Sequence, residues 1–165
     1  MDNKKEKTKW ELDYVKKKEE LIKFLELKDN SIMVLATSHN NKVLARNVLI
    51  ANNELEIYFF TWGHSRKAIQ IQMNPRVALC KDRVQIEGIA EILGNLTNDN
   101  NRKYTDILRK KFPESIALWE NFPGMIIVRI RPTFIVLGGD VGEEPYLEFL
   151  DLEKETAYAE RWAYY

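Results

Sequence analysis

The sequence predicts a mainly β, α+β protein of antiparallel strands with flanking helices, on three observations. Apolar residues recur at helical spacing in a few stretches, but from Ser31 onward short apolar runs at strand spacing dominate. Tight-turn signals separate the runs, Ser38-His39-Asn40-Asn41-Lys42 and Asn52-Asn53 among them, and such turns return a chain antiparallel to itself. With 165 residues, 45% hydrophobic and 30% charged, the chain fits one soluble domain, 1–165, large enough to bury a real core.

A polar leader passes into an amphipathic helix over about residues 9–28, in which Trp10, Tyr14, Leu21, Ile22 and Leu25 recur among lysines and glutamates. Residues 32–37 form the first strand, 43–51 return beside it, and 55–61 pair with 43–51 as a hairpin carrying Tyr58, Phe59 and Phe60. A helix from 65 to about 73 turns Ala68, Ile71 and Ile69 inward and stops at Asn74-Pro75. Strands resume over 76–80 and 84–93. The second carries Val84, Ile86, Ala90 and Ile92 on one face, with Gly88 marking a bulge, a bend or a close backbone approach. Thr97 is the predicted N-cap of a helix through Lys111, whose basic end suits the negative pole there, and Pro113 terminates it. Residues 125–137 read as a strand pair or a bent strand interrupted at Pro132. Residues 138–145 read as a loop, and 146–150 as a last apolar segment before an aromatic terminus.

Charge narrows the function classes. Lys plus Arg and Asp plus Glu balance at 25 each, so no overall basic field draws nucleic acid. The apolar runs are too short to span a bilayer and the charged N-terminus has no signal-peptide core, so the expected location is the cytoplasm, away from membrane. Cys80, the single cysteine, ends an apolar run and reads as a small core residue. His39, His64 and Cys80 do not have a metal-ligand spacing.

One segment is electrostatically backwards. In Phe60-Thr61-Trp62-Gly63-His64-Ser65-Arg66-Lys67 two cations open a helix whose N-terminus is already partly positive. An anion resolves the conflict, and with Ser65 as N-cap the segment is a candidate phosphate grip; the alternative is that both side chains extend into water. Arg46 shares its strand face with Leu44, Val48 and Ile50, where a charge needs a partner, either a carboxylate at an edge or dimer surface or a ligand. Brought to the end of the paired strand, Arg46 joins Thr61, Ser65, Arg66 and Lys67, and two guanidiniums, one ammonium and two hydroxyls describe a phosphomonoester pocket.

The order Leu35-Ala36-Thr37, Arg46-Asn47-Val48-Leu49, Phe59-Phe60-Thr61, Ser65-Arg66-Lys67, Asn74-Pro75-Arg76-Val77 and Val84-Gln85-Ile86-Glu87-Gly88 resembles the pyridoxamine 5′-phosphate oxidase-like family of FMN-binding split β-barrels. The resemblance covers roughly residues 32–93 and, more loosely, the strands around 125–137. It implies an antiparallel split β-barrel, a homodimer, and FMN in a groove between subunits that serves an oxidoreductase acting on a small-molecule redox substrate. Carried over by position, Arg46, Asn47, Val48 and Leu49 line the flavin and phosphate groove, Phe60 and Thr61 border it, and Ser65, Arg66 and Lys67 hold the phosphate. Arg83 stands where the oxidase has a glutamine, and the resemblance leaves it two places: near the flavin pyrimidine edge, where a cation favours reduced, anionic flavin, or pointing to solvent. The oxidase's C-terminal arginine and histidine pair has no counterpart, since no histidine follows His64, which argues against true pyridoxamine phosphate oxidation. A non-enzymatic flavin or heme binder and a deazaflavin-dependent reductase remain the alternatives.

Overall fold

The computed structural model describes residues 8–141 and 144–161, so the polar leader and the aromatic residues 162–165 lie outside the described part. Its strands are β1 (Thr8–Leu12), β2 (Ile32–His39), β3 (Lys42–Leu49), β4 (Ala51–Asn53), β5 (Glu56–Trp62), β6 (Arg76–Lys81), β7 (Val84–Asn95), β8 (Met125–Val141), β9 (Glu144–Asp151) and β10 (Thr156–Arg161). Four α-helices flank them: α1 (Tyr14–Glu26), α2 (Arg66–Met73), α3 (Arg102–Lys111) and α4 (Pro113–Trp119). All pairing is antiparallel, in the order β1-β10-β9-β8-β7-β6-β2-β3, with β5 on β8 and β4 on β5. This is the expected mainly β fold with flanking helices, an antiparallel split barrel.

The long strand β8 shows where the barrel divides. One edge pairs along its length with β7; the other pairs with β5 up to Ile130 and with β9 from Phe134 onward. Between the two ladders sits Pro132, which has no N–H to donate, opposite Gly88 and next to a bulge in β8 that leaves Thr133 without an opposite residue on β7. A Cβ on Gly88 would lie 2.8 Å from the Arg131 carbonyl oxygen and 2.8 Å from Ile130 Cγ2, so only glycine lets the strands approach so closely.

The second opening decides the site. The run expected as one strand, 43–51, breaks at Ile50, whose N–H donates to the Ser31 carbonyl at 2.8 Å as the last bond in the β2–β3 register. Beyond that bond the partner changes: β3 pairs with β2 alone and only β4 reaches β5, against the expectation that 43–51 pairs with 55–61. Diverging strands leave a mouth into which side chains from β2, β3 and α2 can meet. Inside the barrel, Met33, Leu35, Ile50, Phe59, Leu79, Ile86, Val128 and Ile130 form the main core. A second core under α3 and α4 gathers Tyr58, Leu96, Leu108, Ile116 and Ile127.

Several elements differ from their predicted form. The helix expected over 9–28 starts only at Tyr14, capped by Asp13, whose side chain accepts from the Lys16 N–H at 3.0 Å. Trp10 and its neighbours instead pair with β10, a strand the sequence reading did not contain. Thr97 does not cap α3; Thr105 Oγ1 and the Asn101 amide instead bind the Leu93, Asn95 and Leu96 carbonyls at 2.7 to 2.9 Å. Pro113 both follows α3 and opens α4 at its first turn, where a missing N–H costs nothing. Residues 138–141 extend β8 rather than forming a loop, 144–145 already belong to β9, and the expected loop's middle, 142–143, lies outside the described residues. Cys80 is exposed, because Val77 and Leu79 take the inward positions and period two turns it outward.

Candidate functional site

The mouth is assembled from three elements. Helix α2 begins as predicted: Ser65 is extended, and its hydroxyl accepts from the Ala68 N–H at 3.3 Å. The same hydroxyl lies 3.3 Å from that of buried Thr61 at the end of β5. Among the described residues the N–H groups of Arg66 and Lys67 find no acceptor, and the first turn of α2 carries no acid. The helix thus presents a positive pole with two free donors and two cationic side chains.

Arg46 enters from β3. Its Nη1 donates to Thr37 Oγ1 at 2.7 Å and to the Leu35 carbonyl at 3.3 Å. Burial, and after it the charge of Arg66, pushes this guanidinium below its usual pKa. Burial and then the charge of Arg46 likewise lower the half-buried Lys67 ammonium. Each shift has the same meaning: the charged form is disfavoured where it sits. No carboxylate among the described residues pairs with Arg46, Arg66 or Lys67. Three cations therefore repel one another at a barrel mouth beside unsatisfied N–H groups, an arrangement whose natural complement is a dianion such as a phosphate monoester.

The structure brings together Arg46, Thr61, Ser65, Arg66 and Lys67. Val48, on the Arg46 face of β3, is buried in the core behind the mouth, while Asn47 and Leu49 take the alternate positions of the strand. Phe60 packs into the second core, on the side of β5 opposite Thr61. Arg83 sits at the β6–β7 hairpin, where its stem covers Gly138 and its carbonyl accepts the Gly138 N–H at 3.0 Å. Within one chain it does not join the cation cluster. Two residues that the sequence reading left out, Thr37 and Gln70, are buried at the centre of the mouth. Ile69, expected to face inward, is half exposed, and Gln70 takes the inward place. A signal was present in that Gln70 lies three residues after Lys67, on the same helical face.

Strand order and the two splits define the class of protein as a split β-barrel, here with a cation-lined mouth. A model of the pyridoxamine 5′-phosphate oxidase family matches residues 18–135, and the chain belongs to that family. Solved structures share the fold. The general stress protein 26 from Bacillus anthracis is 24% identical over 84% of this chain and 99% of its own, with a TM-score of 0.58. A pyridoxamine 5′-phosphate oxidase-related, FMN-binding protein from Nostoc punctiforme is 15% identical, covering 91% and 95% with a TM-score of 0.55. The heme storage protein HutZ from Vibrio cholerae is 14% identical, covering 69% and 88% with a TM-score of 0.59. No curated protein matches. Among the described residues no helix is long and apolar enough to cross a membrane.

Proposed function

We propose that this chain binds FMN and acts as a flavin-dependent oxidoreductase on a small-molecule redox substrate in the cytoplasm. The observation that carries the reading is the cluster of Arg46, Arg66 and Lys67 without a carboxylate partner among the described residues, which suits the dianionic phosphate of FMN. Bound there, the flavin supplies the electron or hydride transfer. The polypeptide's own part is to neutralise the phosphate with three cations, to cap it with the Arg66 and Lys67 N–H groups, and to line its path with Thr61 and Ser65.

A homodimer belongs to this reading. The outward face of β2 and β3 exposes Ile32, Val34 and Val43 with Ala45 and Cys80 beside them, an apolar strip that a second copy would cover. Sedimentation of the FMN-loaded protein at a monomer mass would remove it. For the cofactor, titration of apoprotein with FMN is the test. Replacing Arg66 and Lys67 together by Ala should weaken binding by several kcal/mol, at ~1.5 to 3 for each charge-assisted bond; an unchanged affinity overturns the assignment.

The second reading is a non-enzymatic flavin or heme binder, favoured by HutZ sharing the fold and by the absence, at the described mouth, of any carboxylate or histidine hydrogen-bonded to the cluster. Stopped-flow reduction by NADH or NADPH, followed by reoxidation with candidate acceptors, separates the two. Flavin that no donor turns over supports the binder. The mass and spectrum of what leaves the denatured protein distinguish FMN from deazaflavin and heme.

A further inference from the structure

Beneath the cation cluster runs a chain of hydrogen bonds that the phosphate reading does not itself require. Arg46 Nη1 donates to Thr37 Oγ1 at 2.7 Å, Thr37 Oγ1 lies 2.5 Å from Gln70 Oε1, and Gln70 Nε2 donates to the Lys42 carbonyl at 3.0 Å. Thr37 and Gln70 are exposed by only 2% and 8%, so an unmet hydrogen bond at either would be costly.

The polarity of this chain has one solution. A backbone carbonyl only accepts, so the Gln70 group facing Lys42 must be its NH2, and the group facing Thr37 must be its amide oxygen. An amide oxygen also only accepts, so the single Thr37 hydroxyl proton goes to Gln70. The Thr37 oxygen then has lone pairs left, and a guanidinium, which can only donate, fills one of them. Starting from a carbonyl in the β2–β3 turn region, each link sets the next, and the last to be set is the guanidinium of Arg46.

The anchoring also selects which part of Arg46 is left for a ligand. Both bonds that Arg46 makes, to Thr37 and to the Leu35 carbonyl, use Nη1. Nε and Nη2 have no acceptor among the described residues, and together they form the side-on edge of the guanidinium, which binds two oxygens of a phosphate in parallel. A free arginine side chain on a strand samples many rotamers, and holding one costs entropy at the moment of binding. Here that ordering is done in advance.

We propose that Thr37 and Gln70 are positioning residues: through the Lys42 carbonyl they fix Arg46 so that its Nε–Nη2 edge, rather than its end, faces the phosphate. The inference rests on the phosphate reading above. The simpler alternative is that Gln70 only ties α2 to the β2–β3 hairpin, which would stabilise the fold and leave phosphate recognition alone.

The measurement that separates them is the ratio of riboflavin to FMN dissociation constants, read by fluorescence titration of the full-length apoprotein. Riboflavin lacks the phosphate, so the ratio isolates phosphate recognition from general damage to the groove. Thr37→Val should lower the ratio about tenfold, the scale of one misdirected charge-assisted bond. Thr37→Ser, which keeps the hydroxyl, should restore it to within about twofold, and Gln70→Met should lower it by roughly three- to tenfold. A wild-type ratio in Thr37→Val and Gln70→Met overturns the proposal even where thermal stability falls, because that is the pattern of a purely structural tie. If Thr37→Val does not fold, Gln70→Met and the pair Thr37→Ala and Thr37→Ser repeat the comparison. The Arg66→Ala, Lys67→Ala double variant tells the two failures apart. If it keeps the wild-type ratio, the phosphate reading falls and takes this inference with it; if it lowers the ratio while Thr37→Val does not, only the positioning role is lost.

Discussion

Two regions of this molecule hold arginines against the sheet, and they treat charge in opposite ways. On β8, Arg129 donates to Glu91 at 2.5 Å and lies 3.6 Å from Glu56, which in turn accepts from the Tyr58 hydroxyl at 2.5 Å. Tyr104 stacks on Tyr58 with ring centroids 5.3 Å apart. The network is neutralised from within. Its hydrogen bond to Glu91 raises the Arg129 pKa, the same bond lowers Glu91, and burial with Glu56 raises Tyr58. At the barrel mouth the signs reverse: burial lowers Arg46 and Lys67, the charges of Arg66 and Arg46 respectively lower them further, and among the described residues no acid answers them. Charges that are already answered hold structure, whereas charges left unanswered at some cost to the fold are the ones a ligand can reward.

The largest effect that would break this contrast is on FMN. Removing Arg66 and Lys67 together should cost several kcal/mol of binding, about a hundredfold or more at ~1.4 kcal/mol per tenfold. Arg129→Ala should leave FMN affinity within about twofold, since no residue of its network reaches the mouth. If both variants weaken FMN alike, the two regions are not distinct and the site extends along β8.

The next effect is on the apoprotein and runs the other way. Arg129→Ala strands Glu56 and Glu91 without their cation and should destabilise the fold by ~1–2 kcal/mol, lowering Tm by roughly 2–8 °C. Lys67→Met should leave apoprotein stability within about 0.5 kcal/mol of wild type or raise it slightly, because it removes one of three like charges. Thermal melts without ligand measure both. A Lys67→Met protein that melts well below Arg129→Ala would show that the ammonium has a structural partner.

Much of this was legible in the sequence wherever the signal was local. Asn40 and Asn41, read as turn residues, adopt φ of 48° and 60°, and Ser65 caps α2 as its type and place predict. The conflict between Arg66, Lys67 and the helix pole needs only eight neighbouring residues to be seen. What escaped depends on partners far away. Trp10 and Leu12 alternate as in a strand, but their partner β10 lies nearly 150 residues on, and lysines and glutamates around them mimic a helix. The break at Ile50 comes from a change of partner, from β2 to β5, and the burial of Gln70 from Thr37, 33 residues earlier, to which hydropathy assigns no special place. The cations of the site could be found from sequence; the residues that aim them could not, because aim is set by long-range hydrogen bonds.

The smallest effect sharpens the contrast through pH. In the apoprotein the Lys67 ammonium is already disfavoured by burial and by Arg46, so its proton is lost at a lower pH than from an ordinary lysine at 10.5. A bound phosphate favours the ammonium and raises that pKa again. The liganded protein therefore holds more protons than the free protein between the two values, and FMN affinity must fall as pH rises through this window. The fall should begin below 10.5 and total about tenfold, the worth of one charge-assisted bond. For the apoprotein the sign is opposite: the lowered pKa means that the unfolded chain binds the extra proton, so the Lys67 contribution to stability improves with pH over the same kind of interval. FMN titrations from pH 7 to 10 on wild type and Lys67→Met decide it. Wild type should lose affinity over the alkaline part of that range, and Lys67→Met, weaker throughout, should stay flat; parallel curves would mean that Lys67 does not touch the phosphate and that Arg46 and Arg66 hold it alone.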